Sequence, residues 1–199
     1  MVEHLNLPPP AFDGDVSVET AMRKRRSIRR YRSMELSLAQ ISQILWSAQG
    51  VTHSGGYRTV PSAGARYPLE IYLAAGEVED LAAGVYHYRS RSHTIILAIA
   101  GDQRPALCSA ALGQPAVGAA AAVLVICALY QRMTRRYGRR GAQYVHMEVG
   151  HAGQNIALQC VALGLGSVMI GAFNDDRVQH VIGVQPDERP LYMIPIGFP

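Results

Sequence analysis

The sequence predicts a single α+β domain, and three features carry that prediction. Residues 143–163 repeat apolar side chains at helical spacing: Val145, Val149, Ala152, Ile156, Cys160 and Leu163. Residues 121–129 form a continuous apolar run of strand type, suited to burial on both faces. No internal repeat or linker composition interrupts the 199 residues, so they are read as one unit, residues 1–199.

The elements follow in order. Residues 1–16 form an extended N-terminal arm, because Pro8-Pro9-Pro10 forbids helix. Ser17 caps a short helix that runs into a basic cluster, Arg23 to Arg32. Ser37 caps a second helix with Leu38, Ile41, Leu45 and Ala48 on one face, and Gly50 ends it. Residues 51–68, rich in Gly, Pro and Ser, are a long loop of the kind that usually carries function. Leu69–Ala74 is a strand, and Val85–Ser90 with Thr94–Ala100 is a hairpin. A short helix over 105–112 precedes the strand at 121–129. The helix at 143–163 carries Gly150, Ala152, Gly153 and Ala157 on its other faces. It therefore reads as a central helix, apolar or small almost all round. Gly164 and Gly166 end it, followed by a strand at 167–172, a helix at 175–182 and a final strand at 191–197.

Composition excludes several classes. Hydrophobic residues are 49% and charged residues 17%, enough for a real core, and the sparse charge suggests a large subunit interface. The formal net charge is +4, and Lys24 is the one lysine, the other cations being arginines. There is no Gly-Lys-Ser/Thr pair for a phosphate loop, and no Gly-x-Ser-x-Gly elbow for a serine hydrolase. His146 and His151 are five apart, a poor spacing for chelation on one helix face, so no metal is expected. Cys108, Cys127 and Cys160 have no short paired spacing and read as reduced thiols of a cytoplasmic protein. No signal peptide opens the chain, and the run from Ala116 to Tyr130 is too short for a membrane span.

Three segments carry candidate chemistry. In Arg25-Arg26-Ser27-Ile28-Arg29-Arg30-Tyr31, crowded guanidinium groups repel unless an anion relieves them, and Arg forks with a Ser hydroxyl suit a phosphate monoester. Nucleic acid would call for more interleaved aromatics than Tyr31 alone. In Pro61-Ser62-Ala63-Gly64-Ala65-Arg66-Tyr67-Pro68, small residues let backbone approach a flat ligand. The glycines Gly164, Gly166 and Gly171 follow a helix and precede a strand, the reverse of a dinucleotide fingerprint, which is rejected. Arg132, Arg135, Arg136, Arg139 and Arg140 read as one stripe of a helix, either solvated or touching an anion.

Taken in order, these pieces resemble the nitroreductase superfamily, with the SagB-type dehydrogenase branch most alike. Four blocks carry the resemblance: Arg25 to Tyr31, Pro61 to Glu70, Glu148-Val149-Gly150-His151 with Gln154-Asn155, and Pro195-Ile196-Gly197-Phe198-Pro199. The resemblance implies a mixed sheet flanked by helices, an intertwined homodimer, and FMN at the dimer interface. By position, Arg25 and Ser27 would hold the FMN phosphate and ribityl chain, with Arg26 beside them in the cofactor site. Arg29 would lie near the pyrimidine edge of the flavin. Pro61, Ser62 and Ala63 would reach the flavin from the partner subunit. Met169, Ile170, Gly171 and Ala172 would pass its other side, with the Gly171 N–H facing N5. Arg29 and Gly171 are thus the expected catalytic groups. Many family members have Asn where this chain has Ala65, and many grip phosphate with basic residues past the last strand. The Arg132–Arg140 stripe is the stand-in expected here.

The resemblance implies ping-pong transfer of hydride from NAD(P)H through FMN to a small electrophile, a nitroaromatic or quinone. The alternative within the family is a flavin dehydrogenase that oxidises an azoline heterocycle on a peptide. A non-catalytic flavin-binding module is the third class. No nucleic acid, membrane or metal partner is expected.

Overall fold

A computed structural model describes residues 4–199. Its strands are β1 (His4–Asn6), β2 (Leu69–Ala75), β3 (Gly84–Arg89), β4 (Thr94–Ala100), β5 (Ala122–Leu129), β6 (Gly166–Ser167) and β7 (Glu188–Gly197). Its helices are α1 (Val18–Lys24), α2 (Leu38–Gln49), α3 (Arg104–Ala110), α4 (Pro115–Ala119), α5 (Gln131–Tyr137), α6 (Arg140–Ala162) and α7 (Asp175–Ile182). The strands form one sheet in the order β1-β4-β3-β2-β5-β7-β6, every ladder antiparallel. Parallel pairing enters through the isolated bridges Ser27–Ser167 and Leu36–Val78.

β5 lies between β2 and β7, and Ala122 to Ala128 are all buried, as an apolar run without alternation requires. Strand geometry sends its side chains alternately to two cores. Leu124 and Ile126 join Ile41, Leu45, Ile71 and Ile156. Val123, Val125 and Cys127 join Leu107, Val117, Val178 and Ile182. The sheet is thus flanked by α2 and α6 on one face and by α3, α4 and α7 on the other.

Local rules set most boundaries. The Ser17 hydroxyl accepts from the Thr20 N–H, and Ser37 with Gln40 completes a reciprocal capping box. The arm is tied down where Ser42 donates to the Pro8 carbonyl at 2.5 Å and the Leu7 N–H donates to the His93 carbonyl at 3.2 Å. Three expectations change. The arginine stripe is broken, because Gly138 at φ 54° separates α5 from α6 and Arg140 begins a new helix. The strand expected at 167–172 keeps only Ser167 in a ladder and Ile170 in an isolated bridge to Met193, since Val168 and Met169 leave the pairing between them. Last, α6 is not buried all round: His146, Met147, Gly150, His151 and Gln154 form an exposed stripe in the chain. Small residues such as Gly150 look core-facing by composition, yet a Cβ built there meets nothing within 4 Å.

Candidate functional site

The basic segment is fixed by its backbone. α1 ends as the Arg25 N–H donates to the Ala21 carbonyl, and the Arg26 guanidinium turns back onto the carbonyls of Arg23 (3.0 Å) and Arg25 (2.7 Å). That contact caps the helix C-terminus, where a cation is favoured. The chain then runs beside β6: Ser27 bridges Ser167, and the Ile28 N–H donates to the Ser167 carbonyl at 3.0 Å. Gly166 permits this approach, since a Cβ there would stand 2.7 Å from the Cβ of Ile28. The Tyr31 hydroxyl lies 2.7 Å from the Ile28 carbonyl and 3.1 Å from the Pro195 carbonyl, and the Arg32 N–H donates to Phe198. Among the described residues, Arg25, Arg29, Arg30 and Arg32 take part in no ion pair. The backbone is therefore held firmly while its guanidinium groups stay unneutralised.

The second segment, Met169–Ala172, begins two residues after Ser167. Ile170 exchanges two backbone hydrogen bonds with Met193, at 2.8 and 2.9 Å. The next residues, Gly171 and Ala172, are exposed. Among the described residues the Gly171 N–H meets no backbone acceptor, while the Ala172 carbonyl accepts from Gln114 at 3.0 Å. This is a backbone donor held in place by its neighbours.

The Pro61–Pro68 loop is also pinned. Asn155 of α6 donates to the carbonyls of Ser47 (3.2 Å) and Thr59 (3.3 Å). The Ser62 hydroxyl accepts from the Tyr67 N–H at 2.9 Å. Gly64 sits at φ 61° and leaves no room for a Cβ, which would meet the Tyr137 hydroxyl at 2.5 Å. Ala65 and Tyr67 also take positive φ, 51° and 45°, a conformation that side chains disfavour and functional loops often hold.

Pro61, Ser62 and Ala63 line a cavity of about 290 Å³ with Tyr144, Met147, Glu148 and His151. Arg26 and Ile28 share another, about 300 Å³, with Ala157 and Val161. The α6 residues of the two cavities, Tyr144 to His151 and Ala157 to Val161, are at least six positions apart, roughly 9 Å of helix. Within one chain, then, the arginine segment pairs with Ser167, two residues before Met169, and the Pro61–Ala63 segment packs elsewhere on α6.

One group escaped sequence reasoning. Glu148 is 2% exposed, and neither carboxylate oxygen has a hydrogen-bond partner among the described residues. Burial pushes its pKa up to about 7, although Ser62, Arg58 and Gln49 lie near enough to oppose the shift. The signal in the sequence was a lone acid within an apolar and small-residue helix. The Arg132–Arg140 stripe offers less than expected: Arg132 is spent on Glu70 and the Tyr67 carbonyl, and Arg136 and Arg140 lie over Tyr137 and Tyr144. Among the described residues no group of three or more His, Cys, Asp or Glu is placed to hold a metal, and no helix is long and apolar enough to cross a membrane.

Comparison with known proteins adds to this geometry. The Nitroreductase family model matches residues 22–198. A Methanocaldococcus jannaschii protein named as a nitroreductase is 44% identical over 183 residues, 92% of this chain and 91% of that protein. A solved structure from Ralstonia eutropha, also named as a nitroreductase, is 30% identical with a TM-score of 0.86, covering 98% of this chain and 89% of that one. The microcin B17-processing protein of Escherichia coli is 26% identical over 170 residues, 82% of this chain and 62% of that protein.

Proposed function

The chain belongs to the nitroreductase family, and from that premise we propose that it is an FMN-dependent oxidoreductase working as a homodimer. The proposed reaction moves two electrons from NAD(P)H to a small electrophile, a nitroaromatic or quinone, in ping-pong order. Bound FMN would supply the two-electron redox chemistry.

The observation that carries this reading is a rigid backbone presenting arginines without counter-ions. Arg25 and Ser27 bind the phosphate and ribityl end. Arg26, whose guanidinium caps α1, holds the turn that aims them. Arg29 stabilises the negative charge that reduction places at the pyrimidine edge. Gly171 offers a donor that does not titrate, and Met169, Ile170 and Ala172 shape the wall on that side. The donor set fits a monophosphate and a flat ring that becomes anionic.

Pro61, Ser62 and Ala63 complete the site of the opposite protomer. Support comes from their distance along α6 from the arginine segment and from the exposed stripe around Met147 and His151, which a second copy would cover. The relative that processes microcin favours a second reading, in which the donor is an azoline ring on a peptide and oxygen takes the electrons.

Anaerobic mixing of the purified protein with NADH or NADPH separates the two. The reductase reading expects rapid loss of oxidised-flavin absorbance, restored by a quinone or nitroaromatic. A flavin that no pyridine nucleotide bleaches, but an azoline peptide does, reverses the assignment.

A further inference from the structure

A second cavity opens beside the same loop. Ala65, Arg66 and Tyr67 line a space of about 380 Å³ whose wall also carries Arg58, Arg89, Arg91 and Arg132. Five arginines and one acid, Glu70, thus line the cavity. Glu70 is already committed, paired with Arg132 and lying 2.7 Å from His87 Nε2. Among the described residues Arg58, Arg66, Arg89 and Arg91 have no carboxylate within ion-pair distance.

Two of these arginines are positioned rather than loose. Arg58 is half-buried, lies 4.5 Å over the Tyr67 ring, and gives one N–H to the Gln49 side chain at 2.8 Å. Arg66 gives its Nε–H to the Arg132 carbonyl at 3.3 Å. Their remaining N–H groups meet no protein acceptor among the described residues. Burial depresses the pKa of Arg58, and the nearby Glu70, Tyr67 and Glu148 offset that shift only in part while Arg132 adds to it, so the charge is held at a cost. A guanidinium taken from water without an anion is destabilising, and a bound anion removes that cost.

We infer that this cavity binds a phosphate monoester carried by a redox substrate, at a site separate from the Arg25–Ser27 anchor. The choice of phosphate rests on donor count and charge: a doubly charged group with three acceptor oxygens answers several unspent forks, a monocarboxylate only one. The volume suits a small-molecule subsite. Two sources share this chemistry, the 2′-phosphate of NADPH and a phosphorylated electron acceptor. Attributing the phosphate to a redox substrate rests on the function proposed above.

The test is calorimetric titration of the flavin-loaded protein with inorganic phosphate, 2′,5′-ADP and acetate. The same titrations are run on Arg58→Ala and on Arg66→Ala/Arg91→Ala, with flavin content and melting temperature measured alongside. The expected result is saturable phosphate binding, weakened at least tenfold in both variants, with flavin content unchanged. Binding of 2′,5′-ADP that is lost in the same variants assigns the site to NADPH. Phosphate binding without 2′,5′-ADP binding assigns it to a phosphorylated acceptor. No binding, binding that survives in both variants, or acetate bound as well as phosphate overturns the inference. Because titration needs no turnover, a protein that binds phosphate here but is bleached by no donor keeps the site and sinks the redox reading.

Discussion

Ile28 occupies the space that a side chain on Gly166 would need, its Cβ 2.7 Å from where that atom would stand. This contact joins the basic segment to the edge of the sheet, just where the chain turns toward Gly171. Gly166→Ala should push Ile28 outward and cost about 1–3 kcal/mol, the usual range for overpacking. Urea unfolding should show the loss, and flavin retention should fall with it. A fully stable variant that keeps its flavin would mean that this docking does not organise the site.

Glu148 makes stability depend on pH in a definite direction. Its folded pKa of about 7 lies above the ordinary 4.5, so the unfolded chain ionises first and binds fewer protons. This group's contribution is fully favourable below pH 4.5, declines up to about 7, and is flat beyond. The whole change amounts to about 3 kcal/mol. Glu148→Gln should therefore gain stability relative to wild type as pH rises from 5 to 8. Burial lowers the pKa of His93 and works with the opposite sign, so the difference between the two proteins is the readout. Parallel curves would show that Glu148 ionises normally.

Met147 tests the assembly. It is 51% exposed in the chain, so Met147→Asp should change an isolated protomer by under about 0.5 kcal/mol. In an obligate dimer the same charge lands in the interface. Light scattering should then report monomers and the flavin should be lost. A flavin-loaded wild-type monomer at working concentration would rule out the shared site.

Arg25 and Arg29 should separate by function. Arg25→Ala should weaken FMN binding by at most a few kcal/mol, as for a charged hydrogen bond. Arg29→Ala should lower the two-electron potential by tens of millivolts, about 30 mV for each 1.4 kcal/mol lost selectively from the reduced state. Potentiometry of FMN-saturated variants reads this directly. A potential moved by Arg25→Ala and not by Arg29→Ala would exchange their roles.

Much of this architecture was legible because short-range rules set it. Ser17 and Ser37 mark their helix starts through side-chain hydrogen bonds to the first turn, α2 stops at Gly50, and α7 spans the 175–182 that its pattern predicts. β5 announced itself by lacking alternation. What was not legible depends on tertiary placement. Gly138 breaks an arginine-rich stretch that is helical by pattern on both sides. The open stripe on α6 depends on what does not cover Gly150 and Met147. Glu148 is buried where Gln49, Arg58 and Ser62, all distant in sequence, come near it. The arginine cavity gathers Arg58, Arg66, Arg89, Arg91 and Arg132 from three separate stretches, none of which is a motif alone.

The central claim is that a flavin mononucleotide sits on the Arg25–Arg29 segment. Mass spectrometry of the ligand released by heat from purified wild-type protein, quantified against chain, tests it most directly. The account predicts FMN at close to one per chain, and much less from Arg25→Ala. Release of FAD, or of no flavin even after FMN has been supplied, would contradict it.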